Sequence, residues 1–273
     1  MRSIRLIALD LDDTLLRTDL TISYRTRKAI KRCAAAGISV VLASGRNYNN
    51  MLRYVKLLAL DKKNNYLICD NGSAIQEAAS GNIIHSVTLP AKPALAAFDL
   101  LDAEGFPVQL CAGDTLYVSR ENEFAMYEKK LTGMEQTVAP DFRNMIADGC
   151  NKMIIPGDPV MLRQLEALLR NIAGDDLTIF TSKPYYLEIL PPATDKGAAL
   201  EKVSAMLGVE REEVMAIGDS MNDEAMIRWS GLGVAMRNGD ERVKQIANVV
   251  TERSNDEDGV AGTIERYILN KRT

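Results

Sequence analysis

A single histidine in 273 residues removes several chemistries at once. His85 has no serine, cysteine or acidic neighbour in a recognisable pattern, so a catalytic triad or a zinc centre would depend on it alone. It reads as a structural or surface residue in an inserted segment. Glycine-rich loops are also missing. Gly231-x-Gly233 leads to Met236 where a dinucleotide motif needs a third glycine, and no Walker-type loop occurs. The four cysteines, Cys33, Cys69, Cys111 and Cys150, are far apart and form no C-x-x-C pair, which predicts reduced thiols and a cytoplasmic protein. Charged residues at positions 2 and 10 leave no room for a signal-peptide core, and no run of ~18 apolar residues suggests a membrane span. Aromatics make up only 5% of the chain, too few for a base-stacking stripe, and a net charge of -4 argues against a nucleic-acid partner. The one basic cluster, Arg25, Arg27, Lys28, Lys31 and Arg32, shares a helical pattern with Ile30, Cys33 and Ala34. It reads as a solvated outer face.

What is present is an apolar content of 47%, enough for a full core, arranged as short buried runs that end in polar clusters. Ile4 to Leu9 runs into Asp10-Leu11-Asp12-Asp13-Thr14. A run with so little alternation predicts a strand covered on both faces, as in parallel sheets. Ser23 predicts a helix cap and Gly37 a left-handed helix stop. The run Ile38 to Ala43 then ends in Ser44-Gly45-Arg46, and Tyr66 to Cys69 ends in Asp70-Asn71-Gly72-Ser73. Ligands of parallel α/β sheets gather at the carboxyl ends of strands, where all three clusters fall.

From about Ala74 to Pro191 the character changes. Turn signals at Ser80-Gly81 and Gly113-Asp114 predict locally paired strands, and helices are expected at Pro93 to Glu104 and Pro159 to Ile172. Thr178 to Thr181 and Tyr186 to Leu190 suggest a further hairpin. The parallel pattern resumes after Pro191-Pro192 with a helix from Gly197 to Leu207, the strand Val214 to Ile217 and the cluster Gly218-Asp219-Ser220-Met221-Asn222-Asp223. The expected domains are therefore a core made from residues 1–80 and 191–273 and an inserted α+β unit at 81–190.

Residues i and i+2 of an extended segment point the same way, so Asp10 and Asp12 would face one crevice together. One could attack a phosphoryl group while the other moves protons. Two acids so close cannot ionise independently, and a burial-raised pKa on one, or a cation between them, is the usual resolution. Asp219, at another strand end, could join Asp10 in holding Mg²⁺, which takes one or two carboxylates and keeps waters and substrate oxygens. Asp223 could hold a metal water or steady a lysine. Lys196, just ahead of a helix, can set a point positive charge against a phosphoryl group, and Ser44 with the Gly45 N–H could grip its oxygens.

In this order, Asp10-x-Asp12-x-Thr14, Ser44, Lys196 and Gly218-Asp219-x-x-Asn222-Asp223 resemble the haloacid dehalogenase superfamily of phosphotransfer enzymes. Gly233-Val-Ala-Met236 through Ser254-Asn-Asp-Glu-Asp-Gly-Val260 further resembles its Cof-type branch of small-molecule phosphatases. The resemblance implies an α/β fold, a Rossmann-like three-layer core with a parallel sheet and an inserted α+β cap domain. It implies Asp10 as the nucleophile that becomes a phosphoaspartate and Asp12 as acid and base. It implies Mg²⁺ held by the side chains of Asp10 and Asp219 and the main-chain carbonyl of Asp12. Thr14, Ser44, Gly45, Lys196 and Asn222 would bind the phosphoryl group or substrate, with Asp223 in support.

Only 30 positions separate Thr14 from Ser44, while 152 separate Ser44 from Lys196, so a cap is expected after the third core strand. Such a cap would select the leaving group, with Arg143, Asn144, Asn151, Lys152 and Lys183 as possible readers. The expected partner is a small phosphorylated metabolite, such as a sugar phosphate or a phosphorylated cofactor, and the expected state a monomer or weak homo-oligomer. A phosphomutase on the same core remains an alternative. So does a non-enzymatic phosphate-accepting regulator, though a receiver has no reason to keep Asp12 or a cap of about a hundred residues.

Overall fold

The computed structural model describes residues 3–62, 65–121, 123–124 and 133–270. The chain divides into two compact units, Met1–His85 with Asp195–Thr273, and Ser86–Thr194. The expected boundary at 80/81 falls in the turn of a hairpin, whose second strand carries the first unit on to His85. That strand takes the lone histidine with it, and His85 Nε2 lies 3.0 Å from Lys202 Nζ.

The first unit is built on β1 (Leu6–Leu9), β2 (Ser39–Ala43), β3 (Tyr66–Cys69), β4 (Ala74–Glu77) and β5 (Ile83–Ser86). To these the later stretch adds β12 (Val214–Gly218), β13 (Leu232–Ala235) and β14 (Val249–Val250). They form one sheet in the order β14-β13-β12-β1-β2-β3-β4-β5. Pairing is parallel from β14 to β3 and turns antiparallel between β3 and β4.

The central strands β1, β2, β3, β12 and β13 are buried on both faces because helices cover both, which is why their sequences run almost wholly apolar. Ile7, Leu9, Val40, Leu42, Met215 and Ile217 pack on one side. They meet Ile30 and Cys33 of α1 (Tyr24–Ala35), Met51 and Val55 of α2 (Tyr48–Leu58), and Ile264 of the late helix Gly259–Ile264. Leu6, Ala8, Val41, Ala43, Val214 and Ala216 pack on the other side against Leu200 and Val203 of Lys196–Leu207 and Met226 and Ile227 of Glu224–Trp229. This makes the three layers of a Rossmann-like core. Ser23 accepts a bond from the Thr26 N–H at 3.0 Å and caps α1, and Gly37 takes a φ of +82° just beyond it. Lys28, Lys31 and Arg32 are exposed on that helix.

The second unit holds β6 (Gln109–Ala112), β7 (Thr115–Val118), β8 (Glu135–Val138), β9 (Met153–Pro156), β10 (Thr178–Lys183) and β11 (Tyr186–Leu190), in the order β10-β11-β9-β6-β7-β8. Its helices are α3 (Ala91–Ala103), α4 (Phe142–Ala147) and α5 (Pro159–Ala173). Phe98, Leu101, Phe142, Leu165 and Leu169 from the helices bury Leu110, Met153, Ile155, Leu187 and Ile189 from one face of the sheet. β8, β9 and α4 were not expected from the sequence. β8 is mostly exposed and so has no apolar pattern, and α4 is only six residues long. The first unit's later helices are α6 (Lys196–Leu207), α7 (Glu224–Trp229), α8 (Glu241–Ile246) and α9 (Gly259–Ile264), the last continued by a wider helical turn at Glu265–Leu269. Among the described residues no helix is long and apolar enough to cross a membrane.

Candidate active site

Strand register brings the first acidic residues together. Leu9 on β1 lies opposite Ile217 on β12 and Leu42 on β2, so Asp10, Asp219 and Ser44 all emerge at the carboxyl ends of adjacent parallel strands. The Asp10 N–H still bonds to the Ile217 carbonyl at 3.0 Å and the Ser44 N–H to that of Ile68 at 2.9 Å. The backbone positions of these residues are thus fixed by the sheet itself.

Lys196 opens α6 and is fully buried. Its Nζ donates to Asp10 Oδ1 at 2.6 Å and to Asp223 Oδ1 at 2.7 Å. The other Asp223 oxygen accepts the N–H groups of Asp219 and Ser220 at 2.9 and 3.1 Å. Gly218 allows this approach, since a Cβ there would lie 2.5 Å from Asp223 Cβ. Of the two roles open to Asp223, its bonds are those of a residue that steadies a lysine. Thr14 donates its hydroxyl to Asp219 Oδ1 at 2.7 Å, linking the turn after β1 to the end of β12.

Asp12 is held differently. The Arg46 guanidinium clasps it with two bonds, Nε to Oδ2 at 2.9 Å and Nη2 to Oδ1 at 2.7 Å, and the Arg46 N–H donates to Ser44 Oγ at 3.2 Å. A bidentate pair fixes orientation as well as distance. Asn222 Nδ2 donates to Asn71 Oδ1 at 3.0 Å, and the Asn71 N–H returns to the Ser44 carbonyl at 2.9 Å. Gly45 faces the Asn71 side chain so closely that a Cβ would sit 3.2 Å from it. Asp10, Asp12, Thr14, Ser44, Gly45, Lys196, Asp219, Asn222 and Asp223 thus lie in one linked network inside the first unit. Arg46 and Asn71 belong to it too. Both stand in polar strand ends noted in the sequence, yet nothing in their local pattern assigned either a partner.

The possible substrate readers of the second unit are occupied with local partners. Arg143 pairs with Asp99, Asn144 bonds Asp141, and Asn151 bonds Ser86 and the Val87 carbonyl. Lys152 forms a buried ion pair with Glu188 at 3.1 Å, and Lys183 ends β10.

Electrostatics single out Asp10. Burial, then the neighbouring Asp223 and Asp12 charges, push its carboxyl up to about 7 against the pull of Lys196. Burial presses Lys196 the opposite way, but the charges of Asp10 and Asp223 reverse it and hold the ammonium above its ordinary value. Carboxylate oxygens of Asp10, Asp219 and Asp223 lie within 4.8 Å of one another. Three acids against one lysine leave negative charge uncompensated, and hard oxygen donors suit a small divalent cation. Asp223 spends both oxygens on Lys196 and two amides, so Asp10 and Asp219 are the side chains that fit such an ion.

The chain is similar to known proteins over nearly its whole length. The family described as haloacid dehalogenase-like hydrolase matches residues 7–264. A 5-amino-6-(5-phospho-D-ribitylamino)uracil phosphatase of Bacillus subtilis, YcsE, is 32% identical over 97% of this chain and 96% of its own. An HMP-PP phosphatase of Yersinia pestis is 30% identical over 88% and 86%. Among solved structures, a haloacid dehalogenase-like hydrolase from Bacteroides thetaiotaomicron superposes with a TM-score of 0.88 at 32% identity, covering 97% of this chain and 99% of that one.

Proposed function

The chain belongs to the haloacid dehalogenase-like hydrolase family, and from that premise we propose that it is a Mg²⁺-dependent phosphatase of small phosphorylated metabolites, acting through a phosphoaspartate on Asp10. The observation that carries this reading is the placement of Asp10. Its carboxylate ends a buried strand with one oxygen on Lys196, while Asp12, two residues on, is held separately by Arg46.

In the first half-reaction an Asp10 oxygen attacks phosphorus and the ester P–O bond breaks. The leaving oxygen takes its electron pair and a proton from Asp12, which carries that proton only when released from its bidentate pair with Arg46. In the second half, water attacks phosphorus, gives its proton to Asp12, and the bond from phosphorus to Asp10 breaks to release phosphate and restore the carboxylate. Lys196, Ser44, the Gly45 N–H and Asn222 steady the phosphoryl oxygens, and Thr14 keeps Asp219 in place from the turn that carries Asp12. Mg²⁺ on Asp10, Asp219 and the Asp12 carbonyl would offset the negative charge between carboxylate and phosphoryl group.

Two relatives named above are a 5-amino-6-(5-phospho-D-ribitylamino)uracil phosphatase and an HMP-PP phosphatase, which supports a small phosphorylated metabolite, a sugar phosphate or a phosphorylated cofactor, as the substrate class. The test is steady release of phosphate from an aryl phosphate with Mg²⁺ present. Asp10→Asn should keep the fold and lose turnover, and single-turnover quenching of the native enzyme should trap a hydroxylamine-sensitive acyl phosphate. Steady turnover by the Asn variant would overturn the assignment. A panel of phosphorylated metabolites scored by kcat/KM then narrows the substrate.

A further inference from the structure

The tail motif Ser254 to Val260 takes no part in the chemistry above, yet three of its residues, Asn255, Asp256 and Asp258, bond to the loop that leaves β1. Asn255, buried, donates Nδ2 to the Leu16 carbonyl at 3.0 Å. Its N–H goes to Asn238 Oδ1 at 3.0 Å, and Asn238 in turn donates Nδ2 to the Asp13 carbonyl at 2.8 Å. Asp256 accepts both the N–H and the hydroxyl of Thr18 at 2.9 and 2.8 Å, and Asp258 pairs with Arg17 at 3.1 Å.

The carbonyls of Asp13 and Leu16 bracket a demanding turn. Asp13 has φ +61° and ψ 5°, a left-handed conformation that aspartate visits more readily than most residues with a Cβ, and the Asn238 bond to its carbonyl helps to hold it there. Directly before it stands Asp12 at ψ 129°, in extended backbone. If the Asp13 carbonyl lost its bond and Asp13 left the left-handed region, the Asp12–Asp13 peptide would shift with it and turn the Asp12 Cα–Cβ bond relative to Arg46. Arg46 fixes the carboxylate end of that side chain, and the paired asparagines fix the backbone that supports the other end.

We propose that Asn238 and Asn255 are positioning residues for Asp12, so that the tail motif serves the proton-transfer step from outside the strand ends that hold the phosphoryl group. This inference rests on the reading of Asp12 as acid and base. Neither asparagine touches the reacting atoms. Their effect would come through the turn alone, and a shift of about 1 Å in a reacting group is enough to slow a reaction markedly.

The test compares p-nitrophenyl phosphate with phenyl phosphate, whose more basic leaving oxygen needs the proton more. Asn238→Ala removes an exposed side chain, and Asn255→Asp keeps its shape while losing the donor. Each should lower kcat/KM for phenyl phosphate about tenfold and for p-nitrophenyl phosphate about twofold; thermal unfolding of Asn238→Ala should stay close to that of the native chain, while Asn255→Asp, which sets a buried carboxylate against the Leu16 carbonyl, should melt lower. Repeating Asn238→Ala in an Asp12→Ala background should then change kcat/KM by less than about twofold, because the group it positions is gone. Equal losses on both esters, or an undiminished loss in the Asp12→Ala background, would mean that the tail only stiffens the domain and would overturn the proposal. If Asp12→Ala itself shows no leaving-group dependence, the acid–base reading fails first. That outcome is distinct from one in which Asp12→Ala is impaired but Asn238→Ala is not.

Discussion

Asp10 holds its proton to about pH 7 because burial and the charges of Asp223 and Asp12 outweigh the pull of Lys196. Its folded value lies above its ordinary 3.8, so between these limits the folded chain binds a proton that the unfolded chain has released. The stability gained from that proton is complete below pH 3.8 and is lost as pH rises toward 7. Without metal, the contribution of Asp10 to stability should fall as pH rises through that window. A cation needs the ionised ligand, so Mg²⁺ added at pH 6 should release a proton and raise the melting temperature. Melting curves in EDTA at pH 5 and pH 7, and calorimetry of Mg²⁺ binding in two buffers of different ionisation heat, measure both effects. Asp10→Asn should flatten the slope. An unchanged slope in that variant would assign the effect to another group. At this scale the acidic residues were legible because each ends an apolar run, where strand ends collect ligands. Arg46 and Asn71 were not. Their partners, Asp12 and Asn222, are 34 and 151 positions away, and such pairings exist only once the strands are in register.

The strands β1, β2, β3 and β12 could be read almost residue by residue, since burial on both faces leaves almost only apolar residues in them. β8 and α4 could not, because a mostly exposed edge strand and a six-residue helix leave no periodic signal. Packing of α6 on α7 depends on a residue whose importance the sequence does not reveal. A Cβ on Gly197 would lie 2.6 Å from the Ala225 carbonyl carbon and 2.7 Å from its oxygen, backbone atoms that cannot rotate aside. Gly262 in α9 has nothing within 4 Å of the same position. Alanine favours a helix over glycine by up to ~1 kcal/mol, while forcing two helices apart costs about 1–3 kcal/mol. Gly197→Ala should therefore destabilise by about 1–2 kcal/mol, and Gly262→Ala should stabilise by about 0.5–1 kcal/mol. Urea denaturation of the pair measures both, and a stable Gly197→Ala protein would show that α6 and α7 can separate without loss.

Each unit has a hydrophobic core of its own. The clusters around Ile7 and Leu9 and around Leu6 and Ala8 draw only on the first unit, while that around Leu101, Leu110, Met153 and Leu187 lies wholly within Ser86–Thr194. At about 110 residues the inserted unit is within the size range of domains that fold alone. Every residue assigned here to the phosphoryl site belongs to the other unit. Ligand binding stabilises what it binds by RT ln(1 + [L]/Kd), about 2.7 kcal/mol at a hundredfold excess over Kd. For a domain of this size that corresponds to a shift on the order of 5–10 °C. Scanning calorimetry should then resolve two transitions, and Mg²⁺ with inorganic phosphate should move only one of them upward. Substituting Leu101→Ala in the inserted unit should lower the other transition by itself, since the cavity it opens is confined to that core. A single transition that shifts as a whole, with calorimetric and van't Hoff enthalpies equal, would show instead that the two cores unfold as one cooperative body.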